Sequence, residues 1–268
     1  DKVALSANNH YGEGVTEAEA MAHYAAMGTT GEAKPVEYGL NSRLVKKDGQ
    51  LMDLTMKSGG LYGGAMDKMI YWLKKAEGVA ENEAQAKHIG MLAEYFTTGD
   101  LKQWDATNIN WVNSTDGDID FILGFIEVYG DAIGKKGAFE GVIQVNDKEA
   151  SKRMAVLSEN AQYFEDNSSI MEEHKKETVV GVSYRVIDAV MEAGDAAPAT
   201  PIGINLPNSN WIRSTIGSKS VSLGNIVAAY AAAGGSSSLS EFYIDTATVA
   251  RIKEHGKLSG KMHTAMHE

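Results

Sequence analysis

Ile119-Asp120-Phe121-Ile122-Leu123-Gly124-Phe125-Ile126-Glu127-Val128-Tyr129, followed by Phe139-Glu140-Gly141-Val142-Ile143-Gln144-Val145, is the stretch that decides the fold class. Both runs are β-branched and aromatic, so they read as strands, and the glycine-rich interval Gly130 to Gly137 makes them a hairpin or adjacent strands. Downstream, Thr178 to Met191 alternates around Val180, Val182, Tyr184 and Val186, and Thr200 to Leu206 is a shorter extended segment. Lys148 to Phe164 intervenes as a helix with Met154, Leu157, Ala161 and Phe164 in register. Strand and helix therefore interleave, which predicts an α+β fold in two layers or lobes.

Upstream of the strands the chain reads as loops and then helices. Thr16 caps a short helix in which Glu19 completes a capping box. Lys47-Asp48-Gly49-Gln50 carries the Asp-Gly signature of a hairpin turn. Met66, Met69, Ile70, Leu73 and Ala76 recur at helical spacing, and Ile89, Leu92, Ala93 and Phe96 form a second stripe that Gly99 ends. These stripes read as core. Gly234-Gly235-Ser236-Ser237-Ser238 is the candidate hinge or exposed loop.

Composition narrows the function. With 268 residues, 43% of them hydrophobic, the chain can bury one large core or two smaller ones. A formal net charge of −11 argues against a nucleic-acid partner, whose phosphates require a basic face. It suits a cleft that receives a positively charged amino terminus. There is no Cys, so any bound metal must rely on His and carboxylates. No run of about 18 apolar residues suggests a membrane segment, and Asp1-Lys2-Val3-Ala4 lacks signal-peptide organisation.

The chemistry-bearing motifs lie in the second half. Phe125-Ile126-Glu127-Val128-Tyr129-Gly130-Asp131 precedes Gly137-Ala138-Phe139-Glu140-Gly141. Gly203-Ile204-Asn205-Leu206-Pro207-Asn208 precedes Ile212-Arg213 and Gly217-Ser218-Lys219-Ser220-Val221-Ser222-Leu223-Gly224-Asn225, and the chain closes on His267-Glu268. In a zincin, a helical His ligates Zn²⁺ and the Glu after it activates the metal-bound water. In this order and at these distances the motifs resemble the dipeptidyl-peptidase III family of zinc exopeptidases, whose metal motif reads H-E-x-x-G-H. Weaker similarity runs back through Gly39-Leu40-Asn41-Ser42-Arg43-Leu44.

The resemblance implies a two-lobed enzyme: a lower lobe around a β-barrel, a mostly helical upper lobe carrying zinc, and peptide bound between them. Residues 1–147 and 187–231 then fall in the lower lobe, and 148–186 and 232–268 in the upper. Glu127 and Glu140 match positions that hold the substrate's α-ammonium group, and Tyr129 one that donates a hydrogen bond to the scissile carbonyl. Residues two apart on a strand share a face, which suits Glu127 and Tyr129; by composition alone they are edge residues. Asn205 and Asn208 match positions that pair with an extended peptide backbone, and Arg213 one that holds a carboxylate. Asn-Leu-Pro-Asn is equally a turn with Asn208 as a helix N-cap.

His267 is the expected zinc ligand and Glu268 the expected general base and acid. His263, four residues before His267, shares its helical face and has at most a supporting role. The family's second His and its further Glu ligand are absent from the sequence, so the chain reads as a piece of a longer enzyme, inactive alone, with zinc weakly bound or missing. Its partners are then an oligopeptide and the remainder of its own parent chain. A non-catalytic peptide-binding or structural module is the alternative. The cytoplasm is the expected compartment, with secretion or the periplasm left open. Thr246 to Glu268 reads as a helix weakened by Gly256 and Gly260, with Lys261 to Glu268 frayed or held by a neighbour.

Overall fold

In the computed structural model, which describes residues 9–28, 31–180, 182–233 and 237–267, Asp48 and Gly49 take φ of 51° and 78°. A two-residue hairpin turn of the favoured twist requires positive φ at both central residues. β1 (Ser42–Lys47) and β2 (Gln50–Thr55) accordingly run antiparallel with Lys47 opposite Gln50, as expected. Before them, α1 (Glu17–Met27) opens on the expected capping box, in which the Thr16 hydroxyl accepts from the Glu19 N–H and the Glu19 carboxylate from the Thr16 N–H.

Three helices follow: α2 (Gly63–Glu77), α3 (Glu83–Thr98) and α4 (Leu101–Asn113). Gly99 ends α3 in the left-handed region, φ 71°, its N–H donating to the Tyr95 carbonyl. A Cβ there would lie 2.6 Å from the Thr55 methyl, so turn and packing both demand glycine. The predicted stripes meet in one core: Met66 and Leu73 of α2 and Ile89, Leu92, Ala93 and Phe96 of α3 pack with Leu40, Met56 and Phe125.

The sheet contains β3 (Ile119–Phe125), β4 (Phe139–Asn146), β5 (Val182–Gly194), β6 (Gly203–Leu206) and β7 (Ser218–Leu223), in the spatial order β3-β4-β5-β7-β6. Only the β5–β7 pair is parallel. The α+β class is as expected. Among the described residues no ladder joins β3 to β6. The expected 186/187 boundary falls inside β5.

One helical expectation needs correction. The single helix over Lys148 to Phe164 is two, α5 (Lys148–Glu159) and α6 (Ala161–Asp166). Asn160 separates them, its side-chain amide donating to the Val156 carbonyl at 2.8 Å in local competition with the helical ladder. After α7 (Asn210–Thr215), α8 (Gly224–Ala233) and α9 (Ser237–Phe242), the last helix α10 (Thr246–His267) runs through Gly256 and Gly260, helical as expected. Asp245 secures its start by accepting from the Ala247 and Thr248 N–H groups. Leu258 and Met262 are exposed along it and Ala265 is buried. Residues 234–236 of the candidate hinge and Glu268 lie outside the described residues, as does the side chain of Met266.

Two lysines are built into the interior. Lys219 of β7, nearly wholly buried, donates to the Asp120 carboxylate at 2.9 Å and to the Ser114 carbonyl at 2.7 Å, with its ammonium 4.4 Å from the Trp111 ring centroid. Lys136 is 1% exposed and donates to Tyr24, to Ser42 at 3.0 Å and to Asp53 at 3.3 Å. Removing one member of a buried ion pair leaves the other uncompensated, at a cost of roughly 3–5 kcal/mol. Lys136→Met is therefore expected to lower unfolding free energy by about 3 kcal/mol, read from urea denaturation of both chains.

Candidate active-site cleft

β3 ends at Phe125, but its pairing with the opposite strand continues. The Ile126 N–H donates to the Ala138 carbonyl at 2.9 Å and the Ala138 N–H to the Glu127 carbonyl at 2.7 Å. Glu127 is thus fixed in extended backbone, while Tyr129 falls just beyond the pairing. The strand expected to run to Tyr129 is shorter because Val128 starts the loop that Asp131 organises. The Asp131 carboxylate accepts from the N–H groups of Ile133, Lys135 and Lys136.

The loop returns the chain to Glu140, the second residue of β4, and there the expected acidic site assembles. Glu127, Tyr129 and Glu140 line one cleft with Asn205 of β6, against apolar walls from Ile122, Val142, Ile204 and Leu206. Its volume is about 270 Å³. The Tyr129 hydroxyl, on a side chain 73% exposed, points toward a Glu140 carboxylate oxygen 3.4 Å away, a loose contact that leaves the ring free to turn to a ligand.

A third carboxylate, which the sequence reading missed, completes the site. Asp195 follows β5 and lines the same cleft, its N–H donating to the Phe139 carbonyl at 2.9 Å. Gly194 makes this approach possible: its φ is 66°, and a Cβ would lie 1.9 Å from that carbonyl oxygen. An acid directly after a strand-ending glycine was the available signal.

Burial, then the neighbouring Glu127 and Asp195 charges, push the Glu140 carboxyl up to about 7. Burial, then Glu140 and Glu127, push the Tyr129 phenol up to about 12, so it stays a proton donor. The cleft gathers acidic groups that repel one another. A cation entering it relieves that repulsion.

The remaining predicted residues separate. Arg213, exposed on α7, lines a different groove with Tyr184 and Ala265, and Asn205 borders both this groove and the acidic cleft. Asn208 lies in the loop before α7 and faces a third cavity. Ser209, not Asn208, occupies the N-cap position, so the capping alternative does not hold. His263 is exposed, one turn before His267, which is the last residue of α10. Glu268 lies outside the described residues. Among the described residues no group of three His, Asp or Glu side chains is placed to hold a metal ion, so these residues do not by themselves fit a zinc site. No helix among them is long and apolar enough to cross a membrane.

An acid-lined, partly apolar cleft beside the sheet is the kind of concave site that binds small ligands. The chain belongs to peptidase family M49, whose family model matches residues 25–268. It is 31% identical to dipeptidyl peptidase 3 of Homo sapiens over 173 residues, covering 64% of this chain and 23% of that protein. It is 29% identical to dipeptidyl peptidase 3 of Nematostella vectensis over 65% of this chain and 23% of that one. The solved structure of DPP III from Caldithrix abyssi superposes with a TM-score of 0.68 at 26% identity, covering 82% of this chain and 41% of that chain. The chain thus spans about a quarter of the length of the curated relatives it matches.

Because the folded pKa of Glu140 is raised above that of a free glutamate, the group binds its proton more tightly folded than unfolded. Its contribution to stability falls as pH rises from about 4.3 through about 7. Glu140→Gln is expected to stabilise the chain at pH 8 by about 1 kcal/mol, allowing for solvent screening, and not at pH 4. Thermal unfolding at the two pH values measures the difference.

Proposed function

We propose that this chain carries the substrate-binding half of a zinc-dependent dipeptidyl peptidase, holding the α-ammonium group of an oligopeptide among Glu127, Glu140 and Asp195. The convergence of these three carboxyl groups on one cleft, beside Tyr129 and Asn205, carries the reading. An ammonium group offers three donors, and charge-assisted bonds to carboxylates are the strong class. The raised Glu140 carboxyl is set to lose its proton when the cation arrives.

The rest of the peptide lies along β6. This strand is an edge of the sheet, and an extended peptide can add to such an edge while Asn205 provides an amide for its backbone. Tyr129 holds a proton near the ammonium site and can donate it to a substrate carbonyl as negative charge develops there. Anchoring the amino terminus at a fixed distance from the reacting bond makes the product a dipeptide. Asn208 and Arg213 extend the binding surface beyond the cleft, Arg213 toward a carboxylate.

Residues 1–147 and 187–231 are assigned to the lower lobe, and 148–186 and 232–268 to the upper. His267 and Glu268 are assigned to the zinc chemistry of an intact enzyme by resemblance alone, and no step of it is carried by the described residues. That favours a second outcome for this chain in isolation, peptide binding without turnover. Calorimetric titration of a tetrapeptide and its N-acetylated form, with mass spectrometry of the mixture, tests both. The free amino terminus is expected to bind at least about tenfold tighter than the acetylated one, and Glu127→Gln to remove that advantage. Equal binding of the two peptides would discard the ammonium site. Released dipeptide would show that the chain itself catalyses.

A further inference from the structure

Tyr129 is placed in the cleft by its backbone. Its side chain is exposed, and its one hydrogen bond among the described residues, to Glu140, is loose, so what fixes the hydroxyl is the turn from Val128 to Asp131, whose central residues are Tyr129 and Gly130. The Asp131 N–H closes that turn on the Val128 carbonyl at 3.0 Å. The Asp131 carboxylate, on a side chain 4% exposed, accepts from the N–H groups of Ile133 at 3.2 Å, Lys135 at 2.8 Å and Lys136 at 2.9 Å. Those bonds are the local kind that an aspartate makes in a turn.

The fourth bond to this carboxylate is not local. The Tyr11 hydroxyl donates to it at 2.8 Å across 120 positions of sequence. Burial, then the hydrogen bond to Asp131, raises the Tyr11 phenol far above its ordinary value, so it stays a donor at physiological pH. Tyr11 is itself anchored: it pairs with Leu44 of β1 and packs with Val15, Ala20, Tyr24 and Leu44, and Ile133 of the loop is laid against the same cluster. The tie runs from this buried cluster, through Asp131, into the turn that carries Tyr129. Three N–H groups already shape the loop internally; the hydroxyl adds its orientation relative to the rest of the molecule, as a supporting residue does for a group that must be held in place.

We propose that Asp131 and Tyr11 are positioning residues for the Tyr129 hydroxyl, so that the cluster around α1 and β1 sets where the proton donor of the cleft stands. That the hydroxyl serves a peptide carbonyl rests on the function proposed above; the tie itself does not. The charged groups that face Tyr129 are Glu140, Glu127 and Asp195. Glu140 feels the hydroxyl in return: burial, then Glu127 and Asp195, raise its carboxyl to about 7, and the hydrogen bond from Tyr129 opposes them. The titration of Glu140 therefore reports whether the hydroxyl is in place.

Carbon-13 NMR titration of the Glu140 carboxyl, assigned with Glu140→Gln, tests the tie without any peptide, so failure of the terminus-binding reading leaves this test standing. Removing the hydroxyl outright in Tyr129→Phe is expected to raise the Glu140 midpoint by about half a pH unit. Tyr11→Phe, in which the Tyr129 hydroxyl is present but no longer held, is expected to reproduce at least about half of that rise, and Asp131→Asn to do the same. Tyr11→Phe keeps the packed ring, so the variant is expected to fold, with thermal unfolding as the check. Asp147→Ala removes the N-cap of α5 and destabilises the chain away from the loop, and it is expected to titrate as the parent does. A Glu140 midpoint unmoved in Tyr129→Phe, unmoved or lowered in Tyr11→Phe, or moved as far by Asp147→Ala would overturn the proposal.

Discussion

One buried ammonium group holds the loop on which the cleft depends. Lys136 leaves the Gly130–Gly137 loop and reaches inward to Tyr24 of α1, Ser42 of β1 and Asp53 of β2, while its own N–H is held by Asp131. Asp131 also receives the Tyr11 hydroxyl at 2.8 Å. Elements far apart in sequence thus meet on a loop of a few residues, with Glu127 at its entrance and Glu140 at its exit. Burial lowers the lysine to about 8 and Asp53 opposes the shift. Burial would raise Asp53, but hydrogen bonds from Ser42, Tyr24 and His23 and the Lys136 charge hold it down. Each ion is tolerable inside only because the other is there.

Lys219 repeats the device within the five-stranded sheet. Its ammonium ties β7 to Asp120 of β3 and to the end of α4, and the Trp111 indole N–H donates to the second oxygen of Asp120 at 2.9 Å. β3 and β7 are not neighbours in the sheet, so this charge joins strands that backbone pairing leaves apart. The cleft walls Ile122 and Leu206 sit close to this tie, one on β3 and one on β6, the strand next to β7.

What could be read from the sequence was what local chemistry decides. The Asp48-Gly49 turn, the Thr16–Glu19 capping box and the α2 and α3 stripes each follow from residues within a few positions of one another. Glu127, Glu140 and Asn205 were found through motif resemblance, and the fold brings them together. Asp195 was not found, because its place depends on β5 pairing with β4 beside Phe139, a contact more than 50 positions distant. The break at Asn160 was missed for the opposite reason: the apolar periodicity of Met154, Leu157, Ala161 and Phe164 runs on through it.

The distribution of charge connects stability to binding. Both interior lysines are matched by carboxylates that the fold needs, so the cations of the core are neutralised within it. The carboxyl groups at the cleft have no such match, and Glu140 carries a raised pKa, first from burial and then from its acidic neighbours. A net charge of −11 therefore reflects more than a solvated surface. Part of it is concentrated in one cleft, where Glu127, Glu140 and Asp195 repel one another. The same repulsion that costs the empty protein stability is what an arriving cation removes, so affinity at this site and repulsion within it are one quantity seen from two sides.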